Sequence, residues 1–423
     1  MKRVTRFMAL MLSALMCLGI TGCGETGDSN NTGGAKGQAL QLWITTLGQE
    51  AEVVKQVTEE IWNVEHPDTP VEITIVPGNS DDYYQKLSAA FAINKGPDMF
   101  CISNASSLKY VEAGIPYDVS KWIEPNRNDY MEAVLDAVTF DGKIVAFPGN
   151  MDLMGIYCNN KMFKEANIEL PTTWEELLDA ANALATGDRY GIIIQTDVQS
   201  GYQLFEFYPF LWMSGGDVLA EDGTVIFNSE GTKKAISFYS QLMNAPGTCK
   251  KVENSNTDIT PFGTERTAMQ ICGSWAVTSL AENYPEIDYS VIPYPVAEEG
   301  MEGCGVIGGW QYMVSGRGNN PAAAAEYLNW LWNSDVDIPM KAATEEGKFS
   351  PRSSVMEAAK EHYGQYPYSV FVNEILPVSR IEPSYPTEIV DAAGDALQDA
   401  AYSGKTLEAI LTEAQKKCQK AME

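Results

Sequence analysis

The chain has 423 residues, with 57 acidic against 29 basic side chains and a formal net charge of −28. That excess of acid excludes a nucleic-acid surface, which needs clustered Lys and Arg, and excludes broad adhesion to anionic lipid; it suits solubility outside the cell. The length exceeds one ordinary domain and the hydrophobic content of 45% is that of a folded protein, so two large lobes are expected.

The sequence holds two histidines, His66 and His362. A His-based triad or a His-rich metal site is therefore not expected, and both residues read as surface positions in polar surroundings. Of the eight cysteines, Cys17 lies near the N-terminus and Cys23 has a separate role. The other six, Cys101, Cys158, Cys249, Cys272, Cys304 and Cys418, stand at long spacings with no C-x-x-C pair. They allow up to three disulfides or, equally, buried thiols. Neither a G-x-x-x-x-G-K-[ST] loop nor a calcium-hand loop is present, and no cofactor or metal is expected.

In chain order, Lys2, Arg3 and Arg6 precede an apolar run from Phe7 to Ile20. This reads as an export signal over residues 1–22, too short for a spanning helix. Ile20-Thr21-Gly22-Cys23 resembles a bacterial lipobox, which implies that Cys23 is the lipidation site; several acyl chains on it hold a membrane well. Residues 23–37 are polar and Gly-rich, a flexible tether.

Ala39 to Ile44 alternates as a strand, with Trp43 near its end. Glu50 to Glu65 carries Val53, Val54, Val57, Ile61 and Trp62 at helical spacing. Val71 to Val76 is a second strand, Tyr83 to Ile93 a second helix capped by Asp81 or Asp82, and Met99 to Ile102 a third, buried strand. The order β-α-β-α-β predicts a parallel sheet with helices on both faces. Thr172 or Thr173 caps a helix with glutamates in its first turn, so Trp174 is a packing residue at a helix start. Phe205 to Trp212 is dense in aromatics, with Phe210, Leu211 and Trp212 as core. Asp222-Gly223 is a hairpin turn. Ala268 to Cys272 is an apolar strand that Gly273-Ser274 breaks, leaving Trp275 at a strand end. Gly308-Gly309-Trp310 starts a strand ending near Ser315, and Asn320-Pro321 opens a helix over Ala322 to Trp332. Helices over Thr387 to Tyr402 and Thr406 to Met422 close the chain.

Several of these stretches carry a family likeness. Ala268-Met269 with Gly273-Ser274-Trp275-Ala276 resembles a segment of the extracellular solute-binding proteins of ABC importers, the branch containing maltose-binding protein. So do Pro97-Asp98 before its strand, Gly142-Lys143 through Pro148, Tyr157 through Phe163, Pro171 through Leu177, Gly215-Gly216-Asp217, and Pro351-Arg352 through Val355. The likeness spans residues 39 to about 356, and the number and order of the motifs make it specific. It implies a two-lobe α/β fold of the periplasmic-binding-protein type, each lobe a mostly parallel sheet flanked by helices, joined by a multi-crossover hinge. Crossings are implied near Phe147, Gln311 and Met356, with lobe one over 38–147 and 312–356 and lobe two over 148–311 and 357–423. The implied function is that of a substrate-binding lipoprotein, not an enzyme. It would be a monomer anchored on the extracytoplasmic face of the cell membrane, capturing a carbohydrate in the interlobe cleft and delivering it to permease subunits. The alternative is a secreted carbohydrate hydrolase using paired carboxylates.

A sugar site needs flat aromatics for C–H faces and fixed polar groups for hydroxyls. The aromatic candidates at strand ends and in loops are Trp43, Tyr208, Trp275 and Trp310. By resemblance, Asn104, Asp152 and Arg352 line or border the cleft. Each has a competing structural role: Trp275 can pack under a helix, Asp152 can cap one, and Arg352 can bridge to a carboxylate. Asp98 reads as structural, holding the turn before its strand.

Overall fold

A computed structural model of the protein describes residues 39–45, 49–77, 80–196, 202–249 and 258–423. The export signal, Cys23 and the tether lie outside the described residues.

Two mixed sheets organise the chain. The first begins with β1 (Leu40–Thr45), β2 (Val71–Val76) and β3 (Met99–Ser103). β1 pairs in parallel with both β2 and β3, as the β-α-β-α-β order predicts. A small hairpin of β4 (Thr139–Phe140) and β5 (Lys143–Ile144) follows, then β6 (Ala146–Pro148). The second sheet takes β7 (Asp152–Asn159), β8 (Tyr190–Ile193), β9 (Thr267–Gly273), β10 (Tyr289–Ile292) and β11 (Gly305–Gly308). The chain then returns to the first sheet as β12 (Trp310–Val314) and finishes in the second as β13 (Ser379–Ile381). The strand orders are β2-β1-β3-β12-β6 and β13-β11-β7-β9-β8, with β10 also on β7.

The sheets are less parallel than the family likeness implies. β12 runs antiparallel to β3 and β6, and β7 runs antiparallel to β9, β10 and β11. The reason is connectivity: β7 and β12 enter their sheets from the other lobe rather than through a crossover helix, so nothing constrains them to parallel pairing.

Each sheet buries its own core. Leu42, Ile44, Phe100, Ile102 and Tyr312 pack under helices in the first lobe. The second sheet is covered on both faces. One face carries Ile271, Phe207, Phe210 and Tyr239 with the C-terminal helices Thr387–Tyr402 and Leu407–Ala421; the other carries Tyr157, Phe262, Phe349 and Phe371. A fully buried side chain of this size contributes about 1.5–3 kcal/mol, which is why the apolar strand runs were legible.

Local signals hold where they were strong. Thr173 accepts from the Glu176 amide and the Glu176 side chain returns to the Thr173 amide, a capping box worth about 1 kcal/mol. Trp174 is buried and stacks on Phe238. Asn320 caps Pro321–Asn329 through the Ala323 amide. Asp98 accepts from the Gln41 and Asn319 amides, both at 2.9 Å, and so ties β1 to the turn after β12. The helix expected over Glu50 to Glu65 forms but carries a π turn at Thr58–Trp62, where the Thr58 hydroxyl bonds back to the Val54 carbonyl. The six described cysteines are free thiols, all but Cys304 buried. His66 is exposed. His362 is half-buried against Tyr368 (4.5 Å between ring centroids), next to Tyr363 of the Phe349 cluster.

Candidate functional site

The chain passes between the sheets three times. The first passage runs through Gly149, Asn150 and Met151, between β6 and β7. The second is Gly309 alone, between β11 and β12; its φ of 141° and the 2.2 Å that an added Cβ would leave to the Asn150 carbonyl admit only glycine. The third begins after the first-lobe helix Asp337–Glu346, where Phe349 pairs with Met151 through both backbone hydrogen bonds. The passages therefore lie side by side.

They bring four of the expected residues together. Trp310 pairs with Ser103, and the next residue, Asn104, donates its amide to the Gly309 carbonyl. Asp152 pairs with Gly308 at the start of β7. Asn104 is 5% exposed, yet among the described residues its side-chain amide has no hydrogen-bond partner. Asp152 is buried, with Oδ1 unbonded. Trp310 is half-buried, its main chain clamped by Asn150 through the side-chain oxygen at 3.1 Å. Tyr208 approaches from the helix Tyr202–Met213, stacked on Trp212 at 5.0 Å.

A residue the sequence reading missed completes this group. Glu382 follows β13, its amide bonded to the Ile307 carbonyl. Burial, with Asp152 adding to it, pushes the Glu382 carboxyl up to about 8. At neutral pH it is mainly protonated, able to donate as well as accept. Burial first, then Tyr385, Glu382 and Asp217, raise the Tyr208 phenol well above its usual value. Two residues on, the Ser384 hydroxyl accepts from the Leu108 amide at 3.0 Å and donates to the Ala105 carbonyl at 3.1 Å, linking the lobes beside Asn104.

Behind this group lies a buried ionic network, also missed. Glu50, on the first helix, receives Tyr312 Oη at 2.8 Å, Asn150 Nδ2 by a short hydrogen bond, and Lys348 Nζ at 3.4 Å. One partner comes from the first passage, one from just beyond the second and one from the third. Lys348 also lies 3.8 Å from Asp152 Oδ1. Burial alone would lower the Lys348 pKa; Asp152 and Glu50 outweigh it and hold the ammonium charged, above its usual value. Burial raises the Asp152 carboxyl, Lys348 opposes that and Glu50 adds to it, for a net rise. One signal existed: Glu50 shares the face of Val53, Val54 and Val57, an acid on an apolar stripe.

Three expected residues lie elsewhere. Trp43 is half-buried on β1, its carbonyl accepting from Tyr83 Oη, with β3 between it and β12. Arg352 is tied to Asp129 and to the Trp332 and Asp335 carbonyls within the first lobe. Trp275 is half-buried on the opposite edge of β7 from β11, its ring lying over Gly273 where an added Cβ would come within 1.9 Å. It packs on the cores of both faces of the second sheet, and its turn abuts Gly347 on the third passage.

Residues 47–337 match the family model of the bacterial extracellular solute-binding protein. The chain belongs to that family. Its relatives include the arabinooligosaccharide-binding protein of Bacillus subtilis, 22% identical over 79% of this chain and 77% of that one. A solute-binding protein of an ABC transporter from Thermotoga lettingae, solved with α-D-tagatose, superposes with a TM-score of 0.79 at 22% identity, covering 91% of this chain and all of that one. A binding protein of Mycobacterium tuberculosis in complex with glycerophosphocholine superposes equally well, TM-score 0.79 at 16% identity, over 91% of this chain and 98% of that one. These likenesses show the two-lobe α/β fold. Among the described residues of this solute-binding protein, no helix is long and apolar enough to cross a membrane.

Proposed function

We propose that this solute-binding protein captures a carbohydrate between its lobes, at the group formed by Asn104, Asp152, Tyr208, Trp310 and Glu382, and delivers it to the permease of an ABC importer. One observation carries the choice of ligand: two buried carboxyl groups, Asp152 with an unbonded oxygen and Glu382, stand with the buried Asn104 side chain and a half-buried indole. The buried cation among them, Lys348, is shared with Glu50. Hydroxyl groups both donate and accept, and fit acids and amides. A phosphodiester would meet two acids and a cation already held between Glu50 and Asp152. The relatives' sugar ligands support the same reading. Trp275 stands apart from that group, at the turn against the third passage, and we assign it to a further sugar face, with Arg352 and Trp43 outside the site. Lobe one is taken as residues 38–147 and 312–356 and lobe two as 148–311 and 357–423, the protein acting as a monomer held to the membrane through lipid on Cys23.

A thermal-shift panel of maltotriose, arabinotriose, tagatose and glycerophosphocholine tests this. Saturation at 100 times Kd stabilises by about 2.7 kcal/mol, and the sugar is recovered intact. A shift with glycerophosphocholine alone overturns the carbohydrate assignment; cleavage of the sugar overturns the binding role. Cys23→Ala is expected to free the protein from membranes without altering affinity; a variant that still pellets with membranes and carries lipid label removes the anchor.

A further inference from the structure

Among the described residues, Lys348 touches both Glu50, the first-lobe acid that takes a partner from each passage or just beyond it, and Asp152, the second-lobe acid at the candidate site. Glu50 is already well served: Oε1 by Tyr312 and Oε2 by Asn150. Lys348 stands off from it at 3.4 Å. Asp152 Oδ1, 3.8 Å from the same ammonium, has no hydrogen bond although it is shut off from solvent. A lysine carries three protons and no acceptor, so Lys348 has capacity to spare where Asp152 lacks a partner. Its backbone is fixed: Tyr363 Oη donates to the Lys348 carbonyl at 2.9 Å, and the next residue, Phe349, is bridged to Met151.

The geometry points to Lys348 as a positioning residue for Asp152: braced against Glu50 on the first lobe, it fixes Asp152 Oδ1 and leaves the other carboxylate oxygen for the ligand. The wiring is spatial, since Glu50 and Lys348 stand 298 positions apart in sequence. It also makes the charge of the site depend on the hinge, because the cation sits on the third passage. The groups facing Asp152 are Lys348 and Glu50 behind it and Glu382 in front; Glu346 and the Cys101 thiol face Lys348 from the first lobe.

The consequence for binding rests on Asp152 being a ligand contact; the positioning itself can be read without ligand. In the full chain labelled with carboxyl-13C aspartate, the Asp152 signal is assigned by its loss in Asp152→Asn and followed against pH. Glu50→Gln keeps the side-chain shape and one acceptor oxygen, for Asn150, turns the other position into an NH2 donor that the Tyr312 hydroxyl can accept from, and removes the competing acid, so the Asp152 midpoint is expected to fall. Adding Lys348→Met to Glu50→Gln, which avoids stranding an extra buried charge, is expected to raise it by at least one pH unit over Glu50→Gln alone. Adding Lys348→Arg instead, in the same Glu50→Gln background, is expected to keep it near the Glu50→Gln value. Equal midpoints in Glu50→Gln and the double variant overturn the inference. Should the double variant lack native near-ultraviolet circular dichroism, a Glu50→Gln midpoint unchanged from wild type overturns it. Separately, Asp152→Asn with unaltered affinity for the tightest sugar of the panel removes Asp152 from the ligand site while leaving the titration result standing.

Discussion

Lys348 and Arg352 are buried cations four residues apart, and they are satisfied very differently. Arg352 directs Nε to Asp129 Oδ2 at 2.8 Å and Nη1 to the Asp335 and Trp332 carbonyls at 2.6 and 3.1 Å. Its partner Asp129 is completed by the Ser353 hydroxyl and by the amide and hydroxyl of Ser354. Burial alone would raise the Asp129 carboxyl; Ser354 and Arg352 outweigh it and hold it below its usual value. Lys348 instead hangs between two acids at 3.4 and 3.8 Å, with an unbonded carboxylate oxygen beside it. A closed network of directed bonds locks one conformation; a slack one at the junction of three passages leaves polar capacity for something that arrives later. We read the contrast as one between a structural arginine, which the family motif made a ligand candidate, and a site-directing lysine that no motif marked.

The sharpest way to break this contrast is Arg352→Met. Losing the buried partner of this bonded pair, whose Asp129 is half-buried, is expected to cost about 3 kcal/mol of stability, read from the urea midpoint, with sugar affinity of the folded fraction unchanged. A variant of normal stability that has lost binding would move Arg352 back into the site.

Asp152→Asn probes the slack side. Sugar affinity is expected to fall about 30-fold by calorimetry, roughly 2 kcal/mol, while unfolding free energy changes by less than about 1 kcal/mol, since Lys348 keeps Glu50 as counter-ion. A large stability loss with normal affinity would make Asp152 another Asp129.

The smallest effect is a pH dependence. Glu382 is held at about 8 in the fold, well above an ordinary glutamate near 4.3. The folded protein therefore binds this proton more tightly than the unfolded chain. The contribution is fully present below about pH 4 and is lost as pH rises through about 8. Glu382→Gln removes that loss, so the variant is expected to gain about 1–2 kcal/mol over wild type at pH 9 and nothing at pH 4. Denaturant melts at the two pH values check this. An equal difference at both would mean that Glu382 does not titrate in this range.

What the sequence determined by itself was whatever is encoded locally. The Val71–Val76 strand and the Thr387–Tyr402 helix stand at their expected bounds. The Thr173 capping box and the Asn320 cap were legible for the same reason: apolar period and cap chemistry act within a few residues. The ordered motifs pointed to the solute-binding family and hence to two lobes. Tertiary structure alone decided which polar residues meet. Glu50 reaches Asn150 across 100 positions, Tyr312 across 262 and Lys348 across 298. Glu382 meets Asp152 only because β13 and β7 both flank β11. Arg352 meets Asp129, 223 positions earlier. A charge on a helix or loop looks the same in sequence whether it faces water or another charge; the folded neighbours decide, through burial and the bonds they offer.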